Sequence, residues 1–164
     1  MKTTAATSPS EIVSTRVFNT SRERLFEAFA DPDQLVHWWG PKGFANTFET
    51  FDLRPGGEWR FTMHGPDGAN YPIHKTFTEV VKPERIVFQH HDPVHRFQMT
   101  QIYTAEGARA RLTWRMLFES AEEVTKLKTF ITSANEENFD RLEAHLKSAR
   151  NQVPSPHEMG RGLG

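Results

Sequence analysis

The sequence predicts an α+β domain in which a curved antiparallel β-sheet is covered by one long C-terminal helix. Three observations carry that prediction. Segments such as Glu58–His64 and Arg109–Phe118 alternate large apolar with polar residues, the two-residue period of a half-buried strand. Short loops containing Gly, Pro and Asp separate these segments, a spacing that joins strands antiparallel. From Ser120 the pattern changes to a 3.6-residue period sustained for about 30 residues.

The elements follow in order. Ile12–Phe18 alternates weakly and is β-branched, so it reads as a first strand. Thr20 or Ser21 is placed to cap a helix, with Glu23 in its first turn. Leu25, Phe26 and Phe29 then lie at helical spacing. Asp31-Pro32 ends that helix and starts a second, which runs to Trp38-Trp39-Gly40-Pro41. Strands are expected at Asn46–Leu53, Glu58–His64, Tyr71–Val81, Arg85–His90, His95–Thr104 and Arg109–Phe118. Pro55-Gly56-Gly57 and Gly65-Pro66-Asp67-Gly68 are turns, and Lys82-Pro83 stops a strand. Ser120 and Glu123 form a capping box for the last helix. Val124, Leu127, Ile131, Ala134, Asn138, Leu142, His145 and Ala149 share one of its faces. At 1.5 Å per residue this helix is roughly 45 Å long, enough to cross a sheet. Residues 1–10 are expected to be disordered and residues 150–164 to be a flexible tail, leaving a single domain over 11–149.

Composition narrows the function classes. A hydrophobic fraction of 37% with 12% aromatics supports a substantial core, and 13 Phe and 4 Trp against 2 Tyr make it strongly apolar. The net charge of −1 gives no basic field for nucleic acid or for an anionic membrane. With no cysteine, disulfides, thiol nucleophiles and thiolate metal sites are excluded. The start MKTTAATSPSEIV has no long apolar run, and no stretch approaches the roughly 20 apolar residues of a membrane helix. A cytoplasmic protein without membrane insertion is expected.

Within this frame, the stretch HWWGPKGF (His37–Phe44) stands out. Two adjacent indoles beside a Gly-Pro turn suit either of two arrangements: both pack against the sheet, or one anchors the second helix while the other lines a cavity mouth, for which Trp39, next to the turn, is the expected residue. Trp59, Phe61 and Met63 fall on one face of their strand, and Trp114 and Met116 on one face of theirs, so these are expected to line the sheet's inner surface. Asn135 and Asn138 lie within the apolar stripe of the long helix and offer polar contacts there. Among titratable groups, His64, His74 and Glu79 are candidates for acid–base work in a cavity. His90 and His91 are adjacent, so in a strand they face opposite sides and cannot share an ion. No HExxH motif, dinucleotide fingerprint or phosphate-binding glycine loop occurs, so neither a metal nor a cofactor is expected.

The runs WWGPKGF, RPGGEWRFTMHGPDG, FTEVVKPERIVF and FDRLEAHL, in this order, resemble the Hsp90-ATPase-activator-homologue family of the START-like, Bet v 1-like superfamily. The resemblance spans residues 12 to 148. It implies a helix-grip fold, a sheet gripping the C-terminal helix with a cavity between them. It also implies that a small hydrophobic molecule, aromatic or lipid-like, is held there. Two other functions remain open: a polyketide cyclase- or dehydratase-like enzyme using a cavity His or Glu, and a chaperone-interacting stress protein. A homodimer is compatible with any of them. The superfamily fold does not select among these activities.

Overall fold

The computed structural model describes residue 6, residues 8–92 and residues 95–151, without the side chains of 149–151. Of the two expected unstructured ends, residues 1–5, 7 and 152–164 lie outside the described residues. Ser8–Ser10 form a turn into the first strand: Glu11 N donates to Ser8 O and Ser10 N to Ser8 Oγ, both at 3.1 Å.

The elements are β1 (Glu11–Phe18), α1 (Arg22–Ala30), α2 (Pro32–Trp38), β2 (Ala45–Phe51), β3 (Glu58–His64), β4 (Asn70–Val81), β5 (Arg85–His90), β6 (Phe97–Glu106), β7 (Arg109–Phe118) and α3 (Ala121–Asn151). Ser21 caps α1, its side chain accepting from Arg24 N. Asp31 serves both short helices. Its N–H closes α1 on Glu27 O, while its carboxylate accepts from Asp33 N to cap α2, with Pro32 in the first turn. Ser120 Oγ accepts from Glu123 N at the start of α3.

All seven strands form one sheet in the order β1-β7-β6-β5-β4-β3-β2, every pair antiparallel. Strands β2 to β7 are a meander. β1 returns to pair with β7 along its whole length, Glu11 opposite Leu117 and Phe18 opposite Ala110. Register shifts at Phe48/Thr50 and Phe77/Glu79 interrupt the ladders on the β2–β5 side, where bulges increase strand twist.

The register sets rows of side chains across the inner face. One row runs Phe51, Trp59, Lys75, His90, Phe97, Phe118. The next runs Phe77, Phe88, Met99, Met116, Ile12, and a third Ile86, Gln101, Trp114, Ser14. α1 packs on β6 and β7, α2 on β2, and α3 on β1, β7 and α2.

The helix face differs in detail from the expected stripe. Val124, Asn138 and Leu142 are buried as anticipated, while Leu127, Ile131, Ala134 and His145 are half-buried. Ala149's side chain lies outside the described residues. The buried line also takes in Asn135, Phe139 and Leu146. Phe139 packs on Trp114 and edge-on to Phe18, at 4.6 and 5.9 Å between centroids. A stripe traced on a single period is narrower than the contact face of a helix lying against both a sheet and a second helix.

Candidate functional site

The tryptophan pair is core on both sides. Trp38 is 1% exposed and its indole N–H donates to Ala28 O at 2.9 Å. Trp39 is 7% exposed and sits at the centre of a ring cluster with Phe29, Trp38, Trp59, Phe88 and Trp114, centroids 5.1–6.4 Å away. The indole expected at a mouth therefore joins the short helices to the sheet. The backbone is the reason. Trp39 is extended and Gly40 adopts φ +101°, which turns the chain outward only after the indole has been delivered inward.

α3 clasps this segment. The side chain of Asn138 accepts from Gly40 N at 3.1 Å and donates to Trp38 O at 2.8 Å. Arg141 donates to the carbonyls of Trp39, Gly40 and Pro41 through one terminal nitrogen and to His37 O through the other. Asn46 Nδ2 adds bonds to Val36 O and Trp39 O. These groups satisfy carbonyls that the end of α2 leaves without helical partners. Asn138, expected to offer polar contacts in a cavity, spends both ends of its amide on backbone. Asn135 donates to Ser14 Oγ at 3.1 Å and approaches Met116 Sδ at 3.5 Å.

The inner face holds one group that stands apart. Lys75 is 4% exposed. Its ammonium nitrogen lies 4.7 Å from the ring centre of Phe88, 5.4 Å from Phe97, 5.8 Å from Trp59 and 6.0 Å from Trp39. It also lies 2.9 Å from Nδ1 of His90, its partner residue on β5. His90 stacks on Phe97 at 4.7 Å, and its Nε2 is 3.8 Å from Asp92. Burial pushes Lys75 down to about 7, offset only in part by Asp92. Burial, and then the Lys75 charge, push His90 down to about 3. Near neutrality His90 is therefore a neutral imidazole and Lys75 is shared between its amine and ammonium forms, with Nζ donating to Nδ1.

The inner face also keeps unmatched donors. Among the described residues, Trp59 Nε1, Trp114 Nε1 and Gln101 Nε2 are buried without an acceptor, while Gln101 Oε1 takes the Tyr103 hydroxyl at 2.7 Å. Trp59 is the β3 neighbour of Lys75, and Gln101 is directly opposite Trp114. Phe61 stacks on Trp59 at 4.6 Å. Met63, Ile73, Phe97, Leu127 and Ile131 are half-buried and pack against the core.

The three acid–base candidates share the opposite face of the sheet. His64 bonds to Thr47 and Asn70, both at 2.7 Å. His74 bonds to Glu58 and lies tilted against His91 at 4.7 Å between ring centres. Glu79 pairs with Arg85 at 3.1 Å. None of these meets the Lys75 box. Lys75 is the chain neighbour of the expected candidate His74. The same alternation that sends His74 outward places Lys75 inward between Ile73 and Phe77. A lysine flanked at both two-residue steps by apolar side chains was the available signal.

A seven-stranded antiparallel sheet gripping a C-terminal helix, with its polar groups enclosed in an aromatic interior, defines a helix-grip domain of the Bet v 1-like kind. A profile of the family described as activator of Hsp90 ATPase homolog 1-like protein matches residues 19–147, and the chain belongs to that family. Solved structures agree. A protein of Nitrosomonas europaea is similar at TM-score 0.81 and 18% identity, over 90% of this chain and 100% of that one. An Arthrobacter aurescens protein gives TM-score 0.79 at 25% identity, covering 91% and 92%. An AHSA1 protein of Silicibacter pomeroyi gives 0.69 at 22%, covering 85% and 99%. No curated protein matches the chain. Among the described residues no helix is long and apolar enough to cross a membrane.

Proposed function

We propose that this protein binds a small hydrophobic molecule, aromatic or lipid-like, between the inner face of the sheet and the first half of α3. The observation that carries this reading is a buried amine and imidazole in an aromatic box: Lys75 Nζ lies 4.7–6.0 Å from four ring centres and 2.9 Å from His90 Nδ1, while Met63, Ile73, Leu127 and Ile131 pack half-buried against the same core. Ligand sites combine apolar walls with a few placed polar groups, and methionine adapts to varied shapes. On this reading Trp39, Trp59, Phe61 and Trp114 form the rigid wall. Met63 and Met116 adjust to the ligand, Asn135 supplies a secondary polar contact, and Asn138 holds the wall in place.

Native mass spectrometry of protein purified from its own host, with a denatured control, tests the reading. The expected result is a reproducible apolar adduct released on denaturation. Titration with aromatic and fatty-acyl compounds, followed by tryptophan fluorescence, should then weaken at least about tenfold in Ile131→Asp, a loss of ~1.4 kcal/mol. Equal binding by parent and Ile131→Asp, or no binding by either, overturns it.

A further inference from the structure

We propose that Lys75 captures an apolar aldehyde or ketone covalently, as an imine on its Nζ. The inference rests on the binding reading above and deepens it by naming the ligand's reactive group. Three features of the site lead to it. The amine is enclosed by Phe88, Phe97, Trp59 and Trp39, which suits a carbonyl attached to an aromatic or alkyl body. It has an imidazole nitrogen 2.9 Å away, close enough to pass protons to and from it. Trp59, the β3 neighbour of Lys75, has a buried indole N–H without an acceptor, a donor in the same row for the carbonyl oxygen while it is being attacked.

The chemistry balances without an oxidant or reductant. The Nζ lone pair attacks the carbonyl carbon, and the C–O π pair moves to oxygen. One N–H proton passes to His90 Nδ1 and from there to the oxygen, giving a carbinolamine. The nitrogen lone pair then forms C=N as the hydroxyl leaves. The second N–H proton travels by the same nitrogen to the departing oxygen. Carbonyl and amine become imine and water. The reaction needs Lys75 as free amine and His90 as neutral base. Burial frees a substantial fraction of Lys75 as amine at pH 7, lowering it to about 7, and keeps His90 neutral, at about 3, so that it relays a proton without retaining it. A lysine desolvated in an apolar pocket is activated as a nucleophile in this way.

The test uses the full-length protein at pH 7 with cinnamaldehyde or decanal and sodium cyanoborohydride, which reduces an imine to a stable secondary amine. Intact mass and peptide mapping read the product. The expected result is a single adduct at Lys75, formed at least about tenfold faster than at any other lysine. It is absent in Lys75→Met and slowed in His90→Phe, with circular dichroism confirming that both variants fold. Adducts spread over Lys42, Lys82, Lys126 and Lys128 with Lys75 unmodified overturn the inference. Cinnamyl alcohol and decanol separate it from the binding reading. If the alcohols bind and the aldehydes are not trapped at Lys75, covalent capture fails and binding stands. If neither class binds, both readings fail.

Discussion

Nζ of Lys75 and Nδ1 of His90 are 2.9 Å apart in the interior, and both groups are held below their ordinary proton affinities. The unfolded chain carries them at their usual values of 10.5 and 6.5. Between folded and unfolded values the unfolded state binds more protons, so folding strengthens as pH rises. For His90 that window runs from about 3 to 6.5, and for Lys75 from about 7 to 10.5. Each group contributes a slope of up to ~1.4 kcal/mol per pH unit within its window. Asp92, which favours the charged forms, and His91, which opposes that of His90, are the other charges acting on the pair. Urea denaturation between pH 7 and 10 should show a rising stability that Lys75→Met flattens. Identical pH profiles for parent and Lys75→Met would refute a buried, depressed lysine.

Removing the Asn138 clasp should be costly. Asn138→Ala leaves Gly40 N–H and Trp38 C=O, which its amide now pairs, without their partner. The expected loss is about 2–4 kcal/mol. Asn138→Asp keeps an acceptor for Gly40 N but loses the donor to Trp38 O, so its cost should be of the same sign. A loss below ~0.5 kcal/mol in denaturant titrations would mean that ring packing alone docks the tryptophan segment.

Gly40 meets two separate obstacles to a side chain. Its φ is +101°, and an added Cβ would lie 2.7 Å from Met63 Cε. Gly40→Ala is expected to cost about 1–3 kcal/mol. Met63→Ala in the same chain should relieve the contact but not the backbone strain, so the double-mutant cycle should recover only part of the loss. Full recovery would assign the whole effect to Met63.

Trp39 distinguishes a core from a mouth. With five rings around it, Trp39→Ala should destabilise by about 3–5 kcal/mol. A mouth residue would instead lose ligand affinity at nearly unchanged stability. Chemical denaturation alongside ligand titration separates the two outcomes.

The outward titratable groups give a control. His64→Gln, His74→Gln and Glu79→Gln alter polar contacts on the sheet face opposite Lys75. Ligand affinity in each should stay within about twofold of the parent, ~0.4 kcal/mol. A tenfold loss in any one would place that group in the binding route and restore it as an acid–base candidate.

The elements themselves were legible because their causes are local. Asp31-Pro32 ends one helix and begins the next through its own side chain and ring. The alternation of Trp59, Phe61 and Met63 assigns a strand and its faces without reference to any neighbour. Motifs such as RPGGEWRF and KPERIVF were enough to mark the family, since they record turns and strand starts that the fold reuses.

What the sequence by itself determined is therefore the order of elements, the α+β class and which side chains share a face. The tertiary structure decided what each face meets. β1 pairs with β7 although every other element but α3 lies between them in the chain, a closure that no local pattern encodes. Asn138 became a clasp because Gly40 N and Trp38 O arrive beside it from about 100 residues away. Lys75 became a buried amine in an aromatic box only when β5 set His90 opposite it and Trp39 closed over the rings. Periodicity is a property of consecutive residues, whereas burial and proton affinity depend on groups that folding brings together from distant parts of the chain.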